Sequence, residues 1–283
     1  MGTFGKKLLS GLAVTLCMTG AANAADILPP VVEHRASGGW YLRGDIGYDF
    51  YKTGNFSQAG VTAASGSFIS ESIDRNGHIG VGAGYEFNDW LRADATFEVR
   101  GTEGFAAVDR YLFDCTAAGL SSGSCSGGGI ITRNNMWRGS LTTQALFINA
   151  YVDIGTWYGF TPFVGGGIGL AFHRVHGLHE FDPSDLGGGS YALTGKKTSF
   201  AWNVQAGFGY DVTDNLTLET AYRYVSLGDA TSGRLCPLPA GCGSTLPPLE
   251  ISNVAAHEVR LGLRWRLGGG HTYTDVGYGP GRG

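Results

Sequence analysis

The sequence predicts an all-β fold: an eight-stranded antiparallel up-and-down transmembrane β-barrel with long extracellular loops. Three observations lead there. Apolar and polar residues alternate with period two in eight segments of about ten residues, the length a tilted strand needs to cross a bilayer. The connections between these segments alternate between short turns and long Gly/Ser/Pro-rich loops. The chain also opens with an export signal and has no later run of about 18 apolar residues that could form a membrane helix. Composition agrees: 48 glycines among 283 residues without a G-X-Y repeat exclude collagen, and 12% aromatic residues argue against a disordered chain.

Taken in order, Lys6 and Lys7 form a basic start, Leu8 to Met18 an apolar stretch, and Ala22-Asn23-Ala24 a cleavage site. Residues 1–24 are therefore expected to be a signal peptide, 25–37 a periplasmic segment, 38–267 the barrel and 268–283 a Gly-rich tail. Loss of the two lysines takes the formal charge from −4 to −6. A mildly acidic chain without a basic cluster argues against nucleic acid as a partner.

The first strand sets Trp40, Leu42, Ile46, Tyr48 and Phe50 against Tyr41, Arg43, Asp45, Gly47 and Asp49. The second sets Ile79, Val81, Ala83, Tyr85 and Phe87 against Gly80, Gly82, Gly84 and Glu86. After the Asn88-Asp89 turn, the third sets Leu91, Ala93, Ala95, Phe97 and Val99 against Arg92, Asp94, Thr96, Glu98 and Arg100. The fourth and fifth run from Leu146 to Ile154 and from Pro162 to Phe172, the sixth from Phe200 to Asp211, the seventh from Leu216 to Tyr224 and the eighth from Glu258 to Leu267. Short turns fall at 88–89, 155–159 and 213–215. Long loops are expected at 52–70, 103–137, 174–197 and 228–255. Aromatic residues crowd the strand ends, as they do at two lipid–water interfaces. A soluble sandwich would also alternate, but it does not account for these girdles together with export and the loop pattern.

In this register a set of charges faces the lumen: Arg43, Asp45, Glu86, Arg92, Asp94, Glu98, Arg100, Asp211, Glu219, Arg223, Glu258, Arg260 and Arg264. Eight strands leave an interior just wide enough for side chains. The charges are therefore expected to pair as a structural plug, with a narrow pore as the alternative. The runs Gly80-x-Gly82-x-Gly84 and Gly165-x-Gly167-x-Gly169 lack the spacing and the strand–helix context of a dinucleotide loop. They are read instead as lumen-face gaps for Arg and Tyr of neighbouring strands. Cys115 and Cys125, and Cys236 and Cys242, flank short loop segments and are expected to form two local disulfides. His173, His176 and His179 are the one imidazole cluster, but their spacing fits no standard metal motif. No cofactor is assigned. His78 and His257 stand beside polar residues at strand ends, but no serine nucleophile or oxyanion donor can be named with them, so no enzyme is expected.

The segments GGWYLRGDIGY, HIGVGAGYEFNDWLRADATFE, FINAYVDIGTWYGFTPFVGGGIGL and AWNVQAGFGYDVTDNLTLETAYRY resemble the outer membrane β-barrel proteins of alphaproteobacteria, a family of small porin-like surface antigens. The resemblance spans about residues 38 to 267. It implies location in the outer membrane and contact with outer membrane lipid and lipopolysaccharide, with the envelope assembly machinery, and with host or phage surfaces. Members of the family usually end on an aromatic residue that closes the last strand. Here Trp265-Arg266-Leu267 is followed by a tail, so the assembly signal is expected to be internal. The expected role is structural and surface-directed. A narrow channel is the first alternative, and haemin or metal capture by the third long loop is the second, haemin binding being described for some relatives.

Overall fold

The computed structural model describes residues 38–52, 54–59, 66–121, 123–183, 188–238 and 240–267. The expected signal peptide, the 25–37 segment and the 268–283 tail lie outside the described residues.

Twelve strands form one sheet: β1 (Gly39–Lys52), β2 (Asn55–Gln58), β3 (Gly66–Ile73), β4 (Asn76–Glu86), β5 (Leu91–Asp114), β6 (Ile130–Asp153), β7 (Phe160–Phe181), β8 (Gly189–Ala192), β9 (Gly195–Asp211), β10 (Leu216–Thr231), β11 (Leu235–Pro237) and β12 (Leu249–Leu267). Eight of them close a ring in the order β1–β4–β5–β6–β7–β9–β10–β12, with β12 pairing back to β1 and every contact antiparallel. Closure satisfies each strand's backbone groups on both edges, as a lipid-embedded sheet requires. Trp40 pairs with Leu267, so the ends of the ring meet at the short-turn end.

Sequence alternation translates directly into the two faces. Ile46 on β1 lies between Ile79 of β4 and Leu261 of β12, and all three point outward. With Ile148 and Ile168 across the barrel they form an exposed aliphatic belt. Trp40, Phe87, Trp90, Trp157 and Trp265 ring its turn end, and Tyr48, Phe50, Trp202 and Tyr222 lie toward its other edge. Among the described residues no helix is long and apolar enough to cross a membrane. The membrane is crossed by strands.

The long loops depart from the sequence reading. Much of 103–137, 174–197 and 228–255 is strand, and β2, β3, β8 and β11 carry the wall onward where β1, β4, β9 and β10 break off. Inward alternation continues through these segments. Phe105, Trp137, Leu141, Val175, Leu178, Val225, Leu227, Leu249, Ile251 and Val254 fill this upper interior as an apolar core. Their outward neighbours face water rather than lipid, so they are polar, and the alternation no longer reads as membrane strand. Register shifts between Val99 and Thr102, Arg138 and Ser140, and Ser226 and Ala230 break the period further. Gly228 lies in one of these breaks at φ +76°, a conformation that favours glycine. The cysteines join as expected. Cys115–Cys125 closes the tip of the β5–β6 hairpin and Cys236–Cys242 the segment after β11, with Cα separations of 5.5 and 4.5 Å.

Candidate functional site

Among the described residues, the charged stretch of lumen beneath the apolar core is where the largest set of chemistry-bearing side chains converges. Each arrives from an inward strand position, and the glycines opposite make the room. A Cβ on Gly84 would fall within the Tyr41 ring, and one on Gly165 would press on Tyr151. Both glycine runs, read as lumen-face gaps and not as a dinucleotide loop, lie within strands β4 and β7.

Three tiers of ion pairs stack along the axis. At the turn end, Glu86 receives Arg264 and Arg266, with Arg266 3.1 Å from it and 3.5 Å from Asp211. Arg92 reaches Asp153 at 3.1 Å and Glu219 at 3.2 Å, and Arg264 reaches Glu219 at 3.0 Å. In the middle, Arg43 joins Asp45 at 2.6 Å and Asp94 at 2.7 Å, while Arg260 holds the other oxygen of Asp45 at 3.1 Å. Asp94 also accepts bonds from Tyr41 and from Asn149, which in turn accepts from Asn203. In the top tier, Arg223 donates to both oxygens of Glu98 at 2.6 and 2.7 Å and pairs with Glu258. Arg100 there bridges Glu98 at 3.0 Å, Glu258 at 2.7 Å and Asp49 at 3.0 Å.

Within this network six arginines (43, 92, 100, 223, 260, 264) and six carboxylates (Asp45, Asp49, Asp94, Glu98, Glu219, Glu258) are buried, so the formal charges of the buried part balance, while Glu86, Asp153, Asp211 and Arg266 stand partly exposed at the turn end. Balance matters because an uncompensated buried charge is costly, whereas a hydrogen-bonded network of matched charges can be tolerated. Arg92 additionally lies 4.1 Å from the Tyr151 ring centre and 4.8 Å from that of Phe163.

Sequence reasoning placed Tyr41 and Asp49 opposite the apolar set of the first strand but did not single them out as part of the network, and Asn149, Tyr151, Asp153, Asn203 and Gln205 join it from the fourth and sixth predicted strands. Period two carried the signal for all of them. His78 was noted only as a strand-end histidine. In the structure it lies inside, donating from Nδ1 to Asp49 at 2.7 Å. Glu103 and Asp109 were missed because their strand was read as loop. Glu103 is fully buried above the belt and accepts from the Tyr51 hydroxyl at 2.8 Å. Burial pushes its carboxyl up to about 7. Burial raises Asp109 as well, against the opposing bond from the Trp137 indole.

Two arrangements bear on metals. Asp49, His78 and Glu258 bring ligand atoms within 4.8 Å of one another. The Arg100 guanidinium already bridges both carboxylates, so the cation's place is taken by a side chain. The three loop histidines do not converge. His173 is buried, accepting from Thr143 and donating to the Leu227 carbonyl at 2.9 Å. Gly177, at φ +61°, then breaks the strand's alternation, and His179 lies exposed.

A closed antiparallel ring of eight membrane-length strands, with an aliphatic belt outside and a charged interior, defines an outer-membrane-type β-barrel. A model of the outer membrane protein beta-barrel domain family matches residues 10–266, and the chain belongs to that family. It is 30% identical, over 90% of its length and 98% of the other's, to an uncharacterized protein of Brucella suis biovar 1. It is 26% identical, over 67% of its length and 72% of the other's, to a Rickettsia prowazekii protein described as a candidate adhesin. Among solved structures, the outer membrane protein OprG of Pseudomonas aeruginosa aligns with a TM-score of 0.48 at 12% identity, covering 83% of this chain and 97% of that one. The protein resides in the outer membrane.

Proposed function

We propose that this barrel is a closed, rigid element of the outer membrane whose work is done by its outer surfaces, in envelope integrity and in contact with host, phage or environment. It is not proposed to pass solutes or catalyse a reaction. The observation that carries this reading is the filled interior: a buried network of charge-matched arginines and carboxylates below, and an apolar core around Phe105, Trp137, Leu141 and Leu227 above. Such an interior braces the wall and leaves the extended, disulfide-closed β5–β6 hairpin as a firm surface projection. The adhesin description of the Rickettsia relative supports the surface part of the reading.

The test is single-channel recording of refolded protein in planar bilayers. No discrete conductance steps are expected. Reproducible openings would favour a narrow channel and overturn the closed-barrel reading. Haemin or metal capture by His173, His176 and His179 has less support, because one of these imidazoles is turned inside and another out.

A further inference from the structure

We propose that the outer wall of β6, β7 and β9, just above the aliphatic belt, is a binding site for the phosphate headgroup of an outer-leaflet lipid. Arg174 on β7 and Lys196 on β9 are directly opposed in register. Both are exposed, on the same outward face as the lipid-facing residues beneath them: Phe172, then Leu170 beside Phe200. Like charges directly opposite on paired strands repel each other. Nothing within the described residues offsets this pair.

The acidic residues of β6, β7 and β9 are Asp153, Glu180 and Asp211. Asp153 and Asp211 lie at the turn end, bound to Arg92 and to Thr217. Glu180 accepts from Ser190 at 2.6 Å. Lys197, on the opposite side of β9 from Lys196, lies 3.7 Å from Asp229. Arg138, further along β6, adds a third exposed cation to the same wall.

The wall is also concave at this point. A depression of about 380 Å³ is lined by Thr142, Gln144, Phe172 and Thr198 beside the two cations, and it reaches between the strands to His173 and Lys197. Hydroxyl and amide groups there can complete an anion's hydrogen bonds, while Phe172 meets the adjoining acyl chain. The level is where a headgroup sits: two residues along a strand, roughly 7 Å, separate the cations from the first lipid-facing rung. A soluble phosphate would share the headgroup's charge but would gain nothing from that apolar floor.

The experiment uses full-length refolded barrel in neutral detergent micelles, titrated with fluorescent phosphatidic acid and separately with inorganic phosphate. Saturable lipid binding is expected, with inorganic phosphate far weaker. R174Q and K196Q should each weaken lipid binding by about five-fold, and the double variant by about twenty-five-fold. The charge-matched control R110Q/K52Q should leave affinity unchanged. Unaltered lipid affinity in the double variant would overturn the site. An equal loss in the control would show general electrostatic attraction instead. Equal affinity for inorganic phosphate would show an anion site that does not read lipid. Each variant's β-sheet circular dichroism and heat-dependent gel shift, matched to wild type, keeps loss of binding distinct from misfolding.

Discussion

Replacing Arg223 with Met tests whether the lumen is held by charge balance. Arg223 is fully buried, donates to both oxygens of Glu98 and to Glu258, and lies 5.6 Å from the centre of the Phe147 ring. Met preserves much of the apolar contact but leaves the interior with one unmatched negative charge. Removing one partner of a buried pair costs about 3–5 kcal/mol. Arg100 still reaches Glu98 at 3.0 Å and Glu258 at 2.7 Å, so the expected loss lies near the lower end, about 3 kcal/mol. Adding Glu98→Gln restores balance, and the double variant should be more stable than the sum of the single effects by about 1–3 kcal/mol. Urea titration of barrel refolded into lipid vesicles, followed by tryptophan fluorescence, measures all three. A loss below about 0.5 kcal/mol for Arg223→Met, or strict additivity in the cycle, would refute the charge-balance argument.

Other substitutions probe the outer face and the upper core. Ile148, 67% exposed in the belt, should lose about 2–4 kcal/mol of stability in bilayers as Ile148→Arg, whereas Gln144→Arg at the rim should change little; the same urea titration reads both. Glu103 has its folded value near 7, above its ordinary 4.5, so the folded state favours the protonated acid. Its stabilising contribution is complete below about pH 4.5 and is lost as pH rises through 7, by up to about 3 kcal/mol. Stability measured from pH 4.5 to 8 should therefore fall less steeply in Glu103→Gln than in wild type; parallel curves would show that Glu103 is not the group responsible.

The parts legible in the sequence share one cause. Where a strand stands between lipid and lumen, each residue's chemistry reports its side, so Ile79 and Val81 against Gly80 and Gly82 already give face and register. The β5–β6 hairpin shows where that code stops. Above Val99 the outer face meets water, Gly101 and Thr102 break the period at a register shift, and the wall running to Asp114 looks like loop. Trp137, Glu103 and the apolar core went unseen for that reason. The histidine triplet was legible as a cluster, but the turn at Gly177 that separates its members was not.

The sequence by itself determined the barrel, its strand count, its outward and inward faces, its place in the envelope and the two disulfide pairs. The ring of eight strands and its faces follow from local periodicity and turn chemistry, the disulfide pairs from neighbouring cysteines, and the place in the envelope from what the export signal and the family resemblance imply. Only the tertiary structure decided which arginine meets which carboxylate, because Arg223 and Glu98 lie 125 positions apart and meet through ring closure. It alone also set Arg174 opposite Lys196 across two strands, since cross-strand register depends on the bulges and turns between them as much as on either segment.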